Sequence, residues 1–343
     1  MSGPPLAKLP RDPRNPGTPY VIQARLPDAR WGPAEIAFWL AAVAVIFLFP
    51  GRLVLGSQVV ITGLFALSLD LILGYAGIVS LGHAAMFGAG AYTAGLLARH
   101  GWGEPLSGLF AAAVVGAAIA WATSFIAVRG GDLTRLMVTL GIGLLLYEAA
   151  NQAAWLTGGV DGLSDMTVRN LLGVFPFDLA GRTAYVYSLA VLFAVFFVCR
   201  RIVQSPFGLS LRGIRDGTRR MPAIGSPVRR RLIAVYTVSG AIAGMAGALL
   251  AQTTQFVGLE VLGFARSADL LIMLVLGGPG WLYGGLFGAA LFMVAQSQLS
   301  SLNPVYWQFW LGLLLVAMVF AARGGVVGAV ANARERLLRG IRR

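Results

Sequence analysis

The chain has 343 residues, of which 57% are hydrophobic and only 12% are charged, with a net charge of +13. Soluble proteins carry about 25% charged residues, so this composition excludes an ordinary soluble domain and predicts an all-α, polytopic transmembrane helical bundle. One cysteine, Cys199, excludes an internal disulfide or a cysteine metal cluster, and two histidines, His83 and His100, argue against a His-built metal site. The positive charge does not signal a nucleic-acid partner, because the arginines sit at the ends of apolar runs and in short loops.

In chain order, residues 1–33 read as a disordered, basic cytoplasmic tail, rich in proline and charge and without the apolar core of a cleavable signal. Residues 34–322 form the membrane domain, and 323–343 a basic cytoplasmic C-terminal tail. Ten apolar runs are candidate spans: Ala34–Phe49, Leu53–Leu73, Leu81–Leu97, Leu106–Val128, Leu136–Leu156, Thr183–Cys199, Leu232–Leu250, Ser267–Leu276, Leu282–Ser297 and Tyr306–Ala322. A span takes about 20 apolar residues. The eighth run is too short to cross alone and the first and ninth are marginal. Joining the eighth and ninth as a re-entrant hairpin gives eight spans, so the range is eight to ten.

Charge sets the orientation. With the tail inside, Arg129, Arg135, the residue 200–231 loop and the arginines from Arg323 to Arg343 all fall on the cytoplasmic side. The opposite loops hold Arg52, Arg99, Arg169 and Arg182 beside Glu104, Asp161, Asp165, Asp178 and Glu260. That asymmetry places both termini in the cytoplasm.

Within the runs, Gly74 and Gly77 break the backbone after Asp70, as a tight turn or as broken helix lining a cavity. Small residues at Gly82, Gly88, Gly90, Gly240, Gly244 and Gly247 prepare close helix packing. Asp70, Glu148 and Asp269 lie in apolar runs, where a charge is costly and by default faces a cavity or a partner. Glu148, with Asn151 and Gln152 beside it, is the deepest of these, and Asp70 and Ser80 join Glu148 and Asn151 as candidate lining of a translocation path. His83, opening the third run, reads as a histidine satisfied by backbone. The 200–231 loop carries nine arginines against one acid, Asp216, and its middle reads as a short amphipathic helix from Phe207 to Ile214. No GxxxxGK[ST] motif is present and Lys8 is the only lysine, so ATP hydrolysis by this chain is not expected.

The run Gly74–Leu97, GYAGIVSLGHAAMFGAGAYTAGLL, resembles the signature of the inner-membrane permeases of branched-chain amino acid ABC importers, the LivM type. Three further stretches match in order: Thr157–Ser164 (TGGVDGLS), Ser205–Asp216 (SPFGLSLRGIRD) and Leu274–Gly280 (LVLGGPG). The resemblance covers roughly Leu53 to Gly328. It implies a multi-pass subunit of the bacterial inner membrane that works with a second homologous permease, two ABC ATPase subunits holding ATP and magnesium, and a periplasmic solute-binding protein. No cofactor is implied for this chain itself, and it is not expected to be an enzyme.

By the same resemblance, residues 207–225 form the helix on which the ATPases push, and its pattern offers Phe207, Leu209, Leu211 and Ile214 as apolar seat, Arg212, Arg215, Arg219 and Arg220 as charged contacts and Gly225 at its end. The chain departs from the family at Arg219-Arg220-Met221-Pro222, where the proline predicts that the helix stops near Arg220 or restarts at Pro222. Asp161 and Gly162 fall on the side where a binding protein docks. The implied substrate is a small molecule, a branched-chain or related hydrophobic amino acid, with urea, amides or another small organic solute as the alternative. A stand-alone secondary transporter would need coupling-ion sites that three scattered acids do not form, and an intramembrane enzyme would need paired catalytic residues that are absent.

Overall fold

The computed structural model describes residues 11–12, 15–19, 32–171, 173–178, 180–218, 220–321 and 325. Of the N-terminal tail, a short antiparallel pair of strands is described, β1 (Arg11–Asp12) and β2 (Asn15–Pro19). The C-terminal tail lies outside the described residues apart from residue 325.

Among the described residues everything else regular is helix: α1 (Pro33–Leu48), α2 (Leu53–Asp70), α3 (His83–Arg99), α4 (Pro105–Ala127), α5 (Asp132–Gln152), α6 (Ala154–Thr157), α7 (Arg182–Gln204), α8 (Pro206–Gly217), α9 (Val228–Thr254), α10 (Phe264–Gly277), α11 (Leu282–Leu302) and α12 (Trp307–Ala321). Each of the ten apolar runs is a helix. Among the described residues six helices are long and apolar enough to cross a membrane: α2 with its flanking turns, α4, α5, α7, α9 and α11. The shorter α1, α3, α10 and α12 have 16, 17, 14 and 15 residues. The chain is a multi-pass membrane protein.

Helix starts follow local chemistry. Proline at the first helical position opens α1, α4 and α8, where its missing N–H costs no hydrogen bond. At α1, Glu35 Oε2 also reaches back to accept from the Gly32 N–H at 3.1 Å. Two helices run past the edges of their apolar runs. α7 continues to Gln204 and α9 begins at Val228, so arginines read from sequence as loop sit on helical ends. Long arginine stems let a helix continue while its charged heads stay near water.

α2 is the axis of the molecule. From Val60 to Asp70 every residue is buried, and α7, α9, α10 and α11 pack around it. A second layer, α3, α4 and α9, is held together by glycine. A Cβ at Gly90 would lie 2.2 Å from the Gly244 carbonyl oxygen, and one at Gly247 would lie 1.9 Å from the Phe87 carbonyl oxygen. Only glycine lets these backbones meet, which is how helices associate when no water drives them together. α5 is the outlier: of the long apolar helices it is the least buried in the chain.

Candidate functional site

Three of the four sequence motifs converge at one end of α2. There the helix widens into a π-turn, Leu71–Tyr75, a form that concentrates at functional sites. The chain then turns at Gly77, with φ of +71°. The connection to α3 is not a solvent-facing turn, since Ile78, Ser80 and Gly82 are buried and the Leu81 N–H donates to Thr139 Oγ1 at 3.1 Å.

Asp70 is fully buried, and its Oδ1 accepts from the Gly280 N–H at 2.7 Å. Gly280, in the α10–α11 connection, has φ of +86°, a conformation that favours glycine. A Cβ at Gly74 would lie 2.0 Å from Asp70 Oδ1 and 2.3 Å from Gly280 N, so nothing larger than glycine fits. The Arg215 guanidinium of α8 donates to the Gly74 carbonyl through Nη1. Arg212 stacks over the Tyr75 ring, its guanidinium carbon 5.3 Å from the ring centre. The arrangement ties α8 to the end of α2 and, through Asp70, to the α10–α11 connection.

α8 begins with Ser205 Oγ accepting from the Gly208 N–H at 3.4 Å, and it ends at Gly217. A short 3-10 turn, Met221–Ile224, restarts with Pro222 inside it, and Gly225 closes it in the left-handed region at φ of +77°. The break falls where the proline places it.

The apolar face of α8 needs correction. Leu211 and Ile214 are buried at 0% and 1% exposure against the chain's own bundle, with α7, α9 and the π-turn as neighbours. They therefore hold α8 to the spans and do not offer a seat to a partner. The sequence could not tell these cases apart, because an amphipathic helix shows the same pattern whichever body covers it. Phe207 is half-buried. The exposed surface includes Leu209, Arg215, Asp216 and the turn that ends at Ile224, which is 76% exposed.

Arg200 also leaves the loop. It is buried at the end of α7 and pairs with Glu35 of α1 at 2.7 Å, a link between residues 165 positions apart that no local pattern announced. His83 meets side chains rather than backbone, and through one ring nitrogen: its Nε2 lies 2.9 Å from Ser68 Oγ and 3.2 Å from Ser239 Oγ, while its buried Nδ1 has no partner among the described residues. Those hydroxyl protons go to the Phe65 and Ser68 carbonyls, which leaves the Nε2–H tautomer to donate. Ser80 is buried beside Tyr236.

The remaining candidates do not gather at this junction. Glu148 is exposed on α5, accepting from Gln152 Nε2 at 3.0 Å and Asn151 Nδ2 at 3.5 Å, and Asn151 is half-buried. The carboxylate points away from the chain's own bundle, because α5 is little buried by its neighbours. On the far side of the molecule, Asp161 is exposed and Gly162 is buried with φ of +75°. Their loop is pinned to the α9–α10 connection, where Leu163 and Val257 exchange backbone hydrogen bonds at 2.8 and 3.1 Å.

Comparison with known proteins places the chain in a family. The family model described as "Branched-chain amino acid transport system / permease component" matches residues 51–319. The chain is 28% identical over 317 residues to the high-affinity branched-chain amino acid transport system permease protein LivM of Escherichia coli (strain K12), covering 84% of this chain and 73% of that protein. It is 29% identical over 319 residues to LivM of Salmonella typhimurium, with the same coverage of 84% and 73%. A more distant relative is the autoinducer 2 import system permease protein LsrC of an Enterobacter species, 28% identical over 241 residues, 67% of this chain and 66% of that one. No solved structure matches the chain.

Proposed function

The chain belongs to the branched-chain amino acid transport system permease-component family, and from that premise we propose that it is the inner-membrane permease subunit through which an ABC importer moves branched-chain or related hydrophobic amino acids into the cytoplasm. The arginine-rich end faces the cytoplasm, as its charge requires. Two ATPase subunits with ATP and magnesium dock there, a second homologous permease completes the pore, and a periplasmic binding protein delivers substrate on the side of Asp161.

The observation that carries this reading is the α8 junction. A push on the exposed surface at Leu209, Arg215 and Ile224 is passed on by Leu211 and Ile214, which are seated in the bundle. Arg215 carries it to Gly74, and Asp70 carries it to the α10–α11 connection through Gly280. Both helices flanking that connection, and α2, therefore move with α8, which is the rigid-body linkage that alternating access requires.

Affinity purification tests the assignment. The tagged chain is expected to bring ATPase subunits with it from native membranes; a chain that purifies alone and drives transport from an ion gradient would overturn the reading. A second substrate reading, a permease for another small organic solute, is favoured by the likeness to a protein named for autoinducer 2 import. Competition of labelled leucine uptake by excess unlabelled solutes separates the two.

A further inference from the structure

At the end of the molecule opposite α8, α2, α9, α10 and α11 enclose a cavity of about 430 Å³, within the range of roughly 300–1,000 Å³ found for small-ligand pockets. Its position follows from the helices. Gln58 and Thr62 line it from α2, and Gln58 lies twelve residues before Asp70, about 18 Å up the helix. Gln296 enters from the outer part of α11 and Glu260 from the α9–α10 connection. The rim residue Phe256 touches the Asp161–Gly162 loop closely enough that a Cβ at Gly162 would come within 2.9 Å of its ring.

The lining is unusual for an apolar protein. Arg266 and Asp269 of α10, together with Glu260, bring both signs of charge to one cavity, beside the amides of Gln58 and Gln296. Arg266 and Asp269 sit three apart on one helix face, where oppositely charged side chains can pair. Yet among the described residues neither makes a side-chain hydrogen bond or an ion pair within 4 Å. Arg266 instead lies over the Phe87 ring at 5.6 Å. Arg266 and Asp269 attract each other without touching, and Glu260 adds to the pull on the guanidinium; ionisable side chains at membrane depth pair or mark a pathway or a ligand, and here both stand half-exposed to the same cavity.

We propose that this cavity is an outward-facing binding site for a zwitterionic α-amino acid on its way through the permease, with Arg266 receiving the carboxylate and Asp269 the ammonium group. A planar guanidinium forks onto a carboxylate through two parallel N–H bonds. Asp269 and Glu260 offer acceptors to the ammonium group, and Val261 and Met293 supply apolar wall for the side chain. The proposal rests on the amino-acid importer reading and adds to it where, and by which end, the membrane subunit holds its substrate.

The test uses the assembled permease–ATPase complex in lipid nanodiscs, without binding protein, and equilibrium dialysis with radiolabelled L-leucine. The wild type is expected to bind leucine, and leucinamide, which lacks the carboxylate, to compete poorly. Arg266→Gln should weaken leucine binding about tenfold, as for loss of a charge-assisted pair, and should abolish the preference over leucinamide. Arg266→Lys should restore part of that preference, which a merely structural role for the arginine would not predict, and Asp269→Asn should weaken both compounds. An unchanged leucine-to-leucinamide ratio in Arg266→Gln overturns the site. So does absence of leucine binding in a complex that imports leucine, and in that case the importer reading stands. A complete importer that takes up no leucine would instead remove the reading on which the site rests.

Discussion

Gly74 carries the tightest steric constraint at the α8 junction. Its missing side chain leaves room for Asp70 to reach Gly280, and its carbonyl receives Arg215. Gly74→Ala is expected to destabilise the protein by about 1–3 kcal/mol, as for overpacking of a tight core, read as a lower melting temperature in detergent. An unchanged melting temperature would mean that the junction relaxes freely. His83 makes a milder case. Ser239→Ala removes one partner of its Nε2 and the donor to the Ser68 carbonyl, and should cost about 1 kcal/mol. At this scale the sequence marked unusual residues but not what they touch. Asp70 stood out as an acid in an apolar run and Gly74 as a break, but their meeting with Gly280 and Arg215 joins positions far apart in the chain. The serines around His83 were not legible at all, since a serine within an apolar run looks the same whether it packs or bonds.

Among the elements, α8 shows a helix whose pattern was legible while the body covering its apolar face was not. Its amphipathic pattern and its proline-terminated end were both visible in the sequence, and the structure has them. The buried face, however, belongs to the chain itself. Leu211→Ala or Ile214→Ala should then destabilise the permease by about 2–5 kcal/mol, as for truncating a buried aliphatic side chain. This would appear as reduced thermal stability of the isolated subunit, before any ATPase is added. Ile224→Asp should do the reverse: the subunit stays stable, because that side chain is 76% exposed, while recovery of ATPase subunits in a pull-down falls. If Leu211→Ala leaves the isolated subunit as stable as the wild type and only releases the ATPases, the apolar face points to the partner after all.

Across the whole molecule, the chain on its own leaves α5 uncovered, with Glu148 exposed beside Asn151 and Gln152. A carboxylate facing hydrocarbon costs about 2.5–3.5 kcal/mol near the bilayer centre on insertion scales, which favours a protein neighbour on that face over lipid. The second permease is the neighbour the proposed function supplies, and Glu148 would then line the path between two subunits. Leu145→Cys in a Cys199→Ala background, at a position 72% exposed, is expected to crosslink to that second permease in native membranes. Modification by lipid-phase reagents without any crosslink would make α5 a lipid-facing helix. Fold class and the positions of all ten apolar helices were legible, because composition and run length report directly on the membrane. The surface that a missing subunit covers was not, because it resembles the surface that lipid covers.

The central claim is that the exposed side of α8 receives the force of ATP hydrolysis and the spans turn it into amino-acid movement. ATP-driven uptake of labelled leucine tests it most directly, in proteoliposomes holding the purified permease pair, both ATPases and the binding protein, with wild type set beside Arg215→Ala. The wild type should accumulate leucine only when ATP is present. Arg215→Ala, which removes the link to Gly74, should keep hydrolysing ATP while uptake falls. Leucine accumulation without the ATPases, or full uptake by the Arg215→Ala complex, would contradict the account.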